Sequence, residues 1–212
     1  MTPEELAAIV PRLYHLTAPD AVRGIRARGL LTPEAIADRA GLDAEARERL
    51  LTRRRPKEVR LEAGGERYVV NDNAPLFTDK LAAVLQDGLA PADWLAMLNA
   101  RTFFWPDEDG VRSLLGARIN RDRPREVLVF DTASLARAHF GRIALSPINS
   151  GSTIRKPARR GLATFSKAVD HDYRAWRRLR GGSDRVREIA VRGSVRDAGD
   201  HLVKVLDGAA FR

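Results

Sequence analysis

Glu188 is the residue whose type and setting point most directly to chemistry. It lies in segment 186–191, where side-chain alternation leaves both faces of a predicted strand largely apolar, as in a central strand. A carboxylate in such a place costs free energy unless it is paired or used. It is therefore either the partner of one of the many arginines or a catalytic or ribose-binding acid, and we favour the second interpretation.

His15 and Thr17 form a second candidate pair. They lie two residues apart on a short predicted strand near 12–16, so both side chains share one face. That face is able to hold a polar ligand through two hydrogen bonds. A core histidine beside a threonine at the end of a strand explains the same spacing, and spacing alone favours this simpler interpretation.

Segment 101–105 reads Arg-Thr-Phe-Phe-Trp and predicts a compact strand. Because side chains alternate, Phe104 must face opposite to Phe103 and Trp105. One aromatic surface is then suited to stack on a base or a nicotinamide ring. A central strand buried on both faces accounts for the pattern equally well.

The loop 146–160 combines small hydrogen-bond donors with cations. Such a segment is suited to wrap phosphate groups, although an exposed flexible loop is the commoner fate of this composition. The residues concerned are Ser146, Asn149, Ser150, Gly151, Ser152, Thr153, Arg155, Lys156, Arg159 and Arg160.

Composition narrows the class of protein. The formal net charge is +9, and the chain has 32 arginines but only 5 lysines. Arginine pairs its planar fork with phosphate, so DNA or RNA is a candidate partner, with a solvated arginine-rich surface as the alternative. The absence of cysteine excludes disulfides, thiolate metal sites and a cysteine nucleophile, and it suits a reducing cytoplasm.

Several familiar signals are missing. The acidic start of the chain predicts no secretory signal, and the interrupted apolar run at 81–98 predicts no membrane span. No Gly-x-Gly-x-x-Gly motif, P-loop or Gly-x-Ser-x-Gly elbow is present. The four histidines show no metal-ligand spacing among themselves or with acids, so we expect no metal.

The order of elements predicts one α+β domain over residues 1–212. Helices crowd the first half and strands the second. A largely helical insert is expected at about 31–99, with a hairpin formed by 58–61 and 66–70 around Gly64 and Gly65. Further helices are predicted at 76–87, 107–119 and 165–180.

These elements in this order resemble the ADP-ribosyltransferase superfamily. Tyr14-His15 through Gly29-Leu30 resembles its opening strand and helix, 102–105 its aromatic strand, and Glu188 the acid of its closing strand. Within it, the chain resembles a bacterial family that is distantly similar to DarT-type nucleic-acid ADP-ribosyltransferases. The resemblance implies a split β-sheet core, NAD as a substrate, and no metal.

The resemblance also implies roles for individual residues. Glu188 would stabilise the oxocarbenium-like ribose. The predicted catalytic residues are Glu188 and His15. The predicted NAD-binding residues are His15 and Thr17 for the adenosine-side ribose or the nicotinamide amide, and Tyr14 or Phe104 for stacking. The pyrophosphate is assigned to Arg101 or to the loop 146–160, with Asn149, Ser150 and Ser152 as the predicted binding residues of that loop.

Two departures bear on the acceptor. Arginine-modifying members carry an acid two residues before the catalytic Glu, where this chain has Val186, and a Ser-Thr-Ser motif, where it has Ser152-Thr153-Ile154. The acceptor is left open between nucleic acid and protein. The alternatives are a non-catalytic basic nucleic-acid-binding module, or an NAD glycohydrolase or RNA phosphotransferase on the same fold.

Overall fold

The computed structural model describes residues 1–117, 120–154, 156–178 and 185–212. Its helices and strands are interspersed along the chain, and short 3-10 turns join some of them. The helices are α1 (Pro3–Ile9), α2 (Val22–Arg28), α3 (Pro33–Arg39), α4 (Ala44–Thr52), α5 (Thr78–Ala82), α6 (Pro91–Asn99), α7 (Glu108–Gly116), α8 (Thr132–His139), α9 (Tyr173–Arg178) and α10 (Ala198–His201). The strands are β1 (Arg12–Thr17), β2 (Val59–Ala63), β3 (Glu66–Val70), β4 (Arg101–Phe104), β5 (Glu126–Asp131), β6 (Ile143–Ser146), β7 (Ser166–Lys167), β8 (Glu188–Arg192) and β9 (Leu202–Asp207).

Two separate antiparallel sheets form the core, which confirms the predicted α+β class with a split sheet. One sheet has the order β1-β5-β9 and the other β4-β8-β6-β7. The two meet where Tyr14 and Trp105 exchange backbone hydrogen bonds of 2.9 and 2.8 Å. This junction brings the middle of β1 beside the end of β4.

Strand β8 is central, as its apolar faces predict. It pairs with β4 on one side and β6 on the other, with Glu188 opposite Ser146. The side chains of its first four residues are all buried. The position of Glu188 is therefore set by both neighbouring strands.

The first helices follow their sequence signals. Thr2 and Glu5 form the expected capping box before Pro3. Gly29 ends α2 with φ +79°, and a Cβ atom there would lie 2.2 Å from the carbonyl oxygen of Val195. Only glycine allows this approach, which lets Leu30 pair with Val195.

The insert is only partly helical. It contains α3 to α6 and the antiparallel hairpin β2–β3, whose prediction is confirmed. The hairpin packs with α3 and α4 around a small core of their own, separate from the core between the sheets. That small core consists of Ile36, Ala37, Leu50, Leu51, Tyr68 and Val70.

Two predicted helices are wrong in extent. At 76–87 only α5 is helical. The predicted helix 165–180 is broken, because Ser166 and Lys167 pair with β6 as β7 and Asp172 caps a new helix through the N–H of Ala175. The ends of the predicted helices 107–119 and 165–180 lie outside the described residues. No helix within the described ranges is long and apolar enough to cross a membrane.

Candidate functional site

A deep cleft opens between the junction of the two sheets and the insert. Its volume is about 1990 Å³. The walls come from the end of β1, from β4 and the start of β8, from the loop after β6, and from insert residues 65–77. Of the predicted site residues, the cleft brings together His15, Thr17, Arg101, Asn149, Ser150, Ser152 and Glu188.

Glu188 lies at the inner wall of this cleft and is only 5% exposed. The backbone N–H of Ser150 donates to both carboxylate oxygens, at 3.1 Å each. Burial raises the pKa of Glu188 to about 7, while hydrogen bonds from Ser150 and the charge of Arg160 act in the opposite direction. The carboxyl group therefore titrates near neutral pH.

The loop after β6 carries the donor that meets Glu188. Ser146 Oγ donates to the carbonyl of Ile148, and Asn149 Oδ1 accepts from the N–H of Gly151, so the loop curls back on itself. Asn149, Ser150 and Ser152 line the cleft, although the Ser150 side chain is buried. Arg155 lies outside the described residues.

Arg160 holds the same loop from behind. It is 1% exposed, and its guanidinium donates to the carbonyl of Ser150 at 3.0 Å. Trp94 donates to that carbonyl from its indole nitrogen at 3.3 Å. The prediction that Arg160 wraps phosphate is wrong, because its backbone pairs with Val84 and Gln86 and draws the side chain inward.

His15 is half-buried and lines the cleft. Its Nδ1 lies 2.9 Å from the carbonyl oxygen of Phe103. A carbonyl only accepts, so Nδ1 carries a proton. Burial lowers the pKa of His15, which favours the neutral ring and leaves Nε2 as an acceptor. Thr17, on the same face of β1, is buried and adds a hydroxyl to the cleft.

The two predicted stacking residues, Tyr14 and Phe104, do not line the cleft. Phe104 is 1% exposed and packs in the core between His15 and Phe130, at centroid distances of 6.0 and 5.5 Å. Tyr14 faces the other side of β1 and packs against the cluster around Val111. The alternation predicted for 103–105 is right, but the wrong face was assigned to the cleft: Phe103 and Trp105 line it instead.

Arg101 lines the cleft from the start of β4. It donates to the carbonyl of Met97, and its guanidinium lies 4.6 Å from the centroid of the Phe165 ring. No carboxylate of the described residues lies within ion-pair distance of it. Its charge is therefore available to an anionic ligand.

Sequence reasoning missed the contribution of the insert and of the turn before β5. These segments add cations and amides to the cleft. In the sequence, the run Arg53-Arg54-Arg55 and the loop Asn71-Asp72-Asn73 could have indicated them. The added lining residues are Arg54, Arg55, Arg67, Asn71, Asn73, Phe77, Arg123 and Arg125.

A polar cluster that the spacing did not predict lies away from the cleft. Asp197 accepts from His139 Nε2 at 2.7 Å and lies 3.3 Å from His201 Nε2, so ligand atoms of a metal-binding type are grouped there. Arg142, however, donates to His139 Nδ1 at 2.7 Å, which requires the proton of that ring to sit on Nε2. A ring held in this way does not offer Nε2 to a metal.

A family model matches residues 11–202, which is most of the chain. It is the model of DUF7002, a family of unknown function. The chain belongs to this family. No curated protein matches it in sequence. Among solved structures it is similar to Thermosipho africanus DarTG in complex with ADP-ribose, with a TM-score of 0.45 and 13% identity over 92% of this chain and 43% of that one. The chain thus spans less than half of that structure's length.

Proposed function

We propose that this protein transfers ADP-ribose from NAD to a nucleic-acid or protein acceptor. The observation that carries the proposal is the meeting of Glu188 and His15 in one cleft. A buried carboxyl group with its pKa near 7 and a neutral imidazole with a free acceptor nitrogen face the same space. Perturbed acids of this kind cluster at functional sites.

Glu188 would act on the ribose next to nicotinamide. The bond between C1′ and the nicotinamide nitrogen breaks, and its electron pair leaves with nicotinamide. The ionised carboxylate hydrogen-bonds the ribose 2′-hydroxyl and stabilises the oxocarbenium-like sugar, since a preorganised charge in a dry site stabilises developing charge strongly. A lone pair of the acceptor then forms the new bond to C1′, and the acceptor's proton passes to solvent.

The other cleft residues would bind and orient NAD. His15 Nε2 accepts a hydrogen bond from a ribose hydroxyl or the nicotinamide amide, and Thr17 adds a hydroxyl beside it. Arg101 offsets the charge of the pyrophosphate, and the loop residues Asn149 and Ser152 donate hydrogen bonds to it. The stacking role falls to Phe103 or Trp105, because these aromatic rings reach the cleft.

The decisive experiment offers NAD, labelled in its adenosine half, to three acceptors in parallel: protein, DNA and RNA. We expect the label to enter one fraction with the wild-type chain and none with Glu188→Gln. Release of nicotinamide without labelled acceptor would instead identify a glycohydrolase. Equal labelling by both chains would overturn the role of Glu188.

A non-catalytic nucleic-acid-binding module is the second candidate. It is favoured by the unpaired cations of the cleft, because Arg54 and Arg101 have no carboxylate at ion-pair distance within the described part of the chain. Thermal unfolding separates the two. A rise in Tm with NAD supports the transferase, whereas salt-sensitive binding of nucleic acid with no response to NAD supports the module.

A further inference from the structure

Phe77 and Ile154 expose apolar surface at the cleft. Phe77 is 43% exposed and Ile154 is 52% exposed, and both line the cleft. Phe77 belongs to the insert, while Ile154 belongs to the loop that reaches Glu188. The N–H of Phe77 donates to Thr153 Oγ1 at 2.8 Å, so the buried Thr153 joins the two segments. The backbone that carries the exposed ring is thus anchored to the neighbouring loop.

Two cations lie over the Phe77 ring. The guanidinium of Arg54 lies 4.7 Å from the ring centroid, and Lys80 Nζ lies 5.5 Å from it. Arg54 is oriented by the carbonyl of Ala74, which accepts from its Nε at 3.2 Å. Neither cation forms an ion pair within the described ranges, whereas Arg123 on the same cleft is paired with Asp72. A flat apolar ring beside uncompensated positive charge matches a base and its phosphate.

The cleft has room for more than NAD. Its volume of about 1990 Å³ is roughly twice that of the larger pockets that hold one small molecule, about 1,000 Å³. Ser150 of the loop after β6 hydrogen-bonds Glu188, and Thr153, three residues later on the same loop, hydrogen-bonds Phe77. A ligand on Phe77 therefore shares the cleft with a substrate at Glu188.

We propose that Phe77, with Arg54 and Lys80, is the platform on which an unpaired base of a single-stranded nucleic-acid acceptor stacks. The strand is held by its base on the ring and by its phosphate on the cations. A single strand is required because a duplex hides the faces of its bases. As an acceptor site this platform rests on the proposed function. As a binding site it does not require turnover.

The test measures binding of a fluorescent single-stranded oligonucleotide by anisotropy, without NAD. Phe77→Ala is expected to weaken binding about tenfold, since the loss of one base–aromatic stack costs about 1–3 kcal/mol. Phe77→Trp should retain affinity. Val203→Ala, which removes an exposed apolar side chain from β9, should have no effect. Arg54→Gln should lower the slope of log affinity against log salt by about one.

Two further readouts keep this proposal separate from the proposed function. NAD should raise the Tm of Phe77→Ala as much as that of the wild type. Glu188→Gln should bind the oligonucleotide normally while transferring nothing. Unchanged oligonucleotide affinity in Phe77→Ala would overturn the platform, as would a wild-type chain that binds no single strand. If Phe77→Ala lost its Tm response to NAD as well as its oligonucleotide affinity, the ring would belong to the NAD site. That result would also overturn the platform.

Discussion

The backbone N–H of Ser150 donates to both carboxylate oxygens of Glu188, at 3.1 Å each. The loop after β6 thus holds the carboxylate through Ser150. The position of that loop therefore sets the direction in which the carboxylate points. Burial of the carboxylate outweighs the hydrogen bonds from Ser150, which is why the pKa of Glu188 is raised to about 7.

Glu188→Gln should abolish transfer and leave the fold intact. The amide oxygen still accepts from Ser150, but the negative charge that stabilises the sugar cation is lost. Removal of such an electrostatic group costs on the order of 10²–10³ in kcat. Labelled transfer and circular dichroism check this. Glu62→Gln, an exposed acid on β2, is the matched control. Full activity in Glu188→Gln would end the catalytic assignment.

The same variant should be more stable than the wild type above neutral pH. The folded chain holds the Glu188 proton up to pH about 7, whereas the unfolded chain loses it near the usual value of 4.5. Between these values the native state binds more protons, so wild-type stability falls as pH rises, by roughly 3 kcal/mol in total, and then stays level. Below pH 4.5 this cost is absent.

Denaturant unfolding at pH 4.5, 6 and 8 measures this linkage. The difference in free energy of unfolding between Glu188→Gln and the wild type should grow from pH 4.5 to pH 8. A difference that does not change with pH would show that Glu188 titrates normally in the folded chain. Burial would then not raise its pKa.

Sequence patterns found the residues that depend on local alternation. The apolar faces of 186–191 placed Glu188 on a central strand, and the period of two on β1 placed His15 and Thr17 on one face. Both inferences needed only the geometry of a strand. The Gly64-Gly65 hairpin was found for a similar reason, because its turn chemistry is local.

Residues whose role depends on packing were missed. Alternation separates Phe104 from Phe103 but does not say which face meets the cleft, since that depends on how the two sheets meet at Tyr14 and Trp105. The sequence predicts Arg160 to be an exposed cation of a loop. An isolated β-bridge between Arg160 and Leu85 instead places the residue where its side chain is buried. Phe77 lies 111 positions before Glu188, and only the fold brings it to the same cleft.

His15→Ala should weaken NAD binding about tenfold. The variant loses the Nε2 acceptor, and it loses the hydrogen bond from Nδ1 to the Phe103 carbonyl that orients the ring. One hydrogen bond to the ligand contributes about 1 kcal/mol or more. Because His15 is assigned to binding, KM for NAD should rise more than kcat falls. Titration calorimetry with NAD and steady-state kinetics test this. His171→Ala, a histidine that does not line the cleft, should behave as the wild type, and an unchanged KM in His15→Ala would remove His15 from the NAD site.

Arg160→Met should shift the pH dependence of activity upward. The buried guanidinium lowers the pKa of Glu188 by its charge and holds the Ser150 carbonyl at 3.0 Å. Without that charge the carboxylate forms at higher pH, so activity, which rises as Glu188 ionises, should rise through a midpoint above the wild-type value of about 7. Arg160→Lys keeps the charge and should move the midpoint less.

Loss of packing alone would lower activity without moving its midpoint, which separates a structural effect from an electrostatic one. Arg159→Met, an exposed neighbour, controls for the change in net charge. The pH-dependent gain in stability of Glu188→Gln, measured in the Arg160→Met background, should begin at the same pH but extend to a higher one, since only the folded-state pKa changes. An unmoved midpoint together with an unmoved stability profile would show that Arg160 supports the loop without acting on the acid.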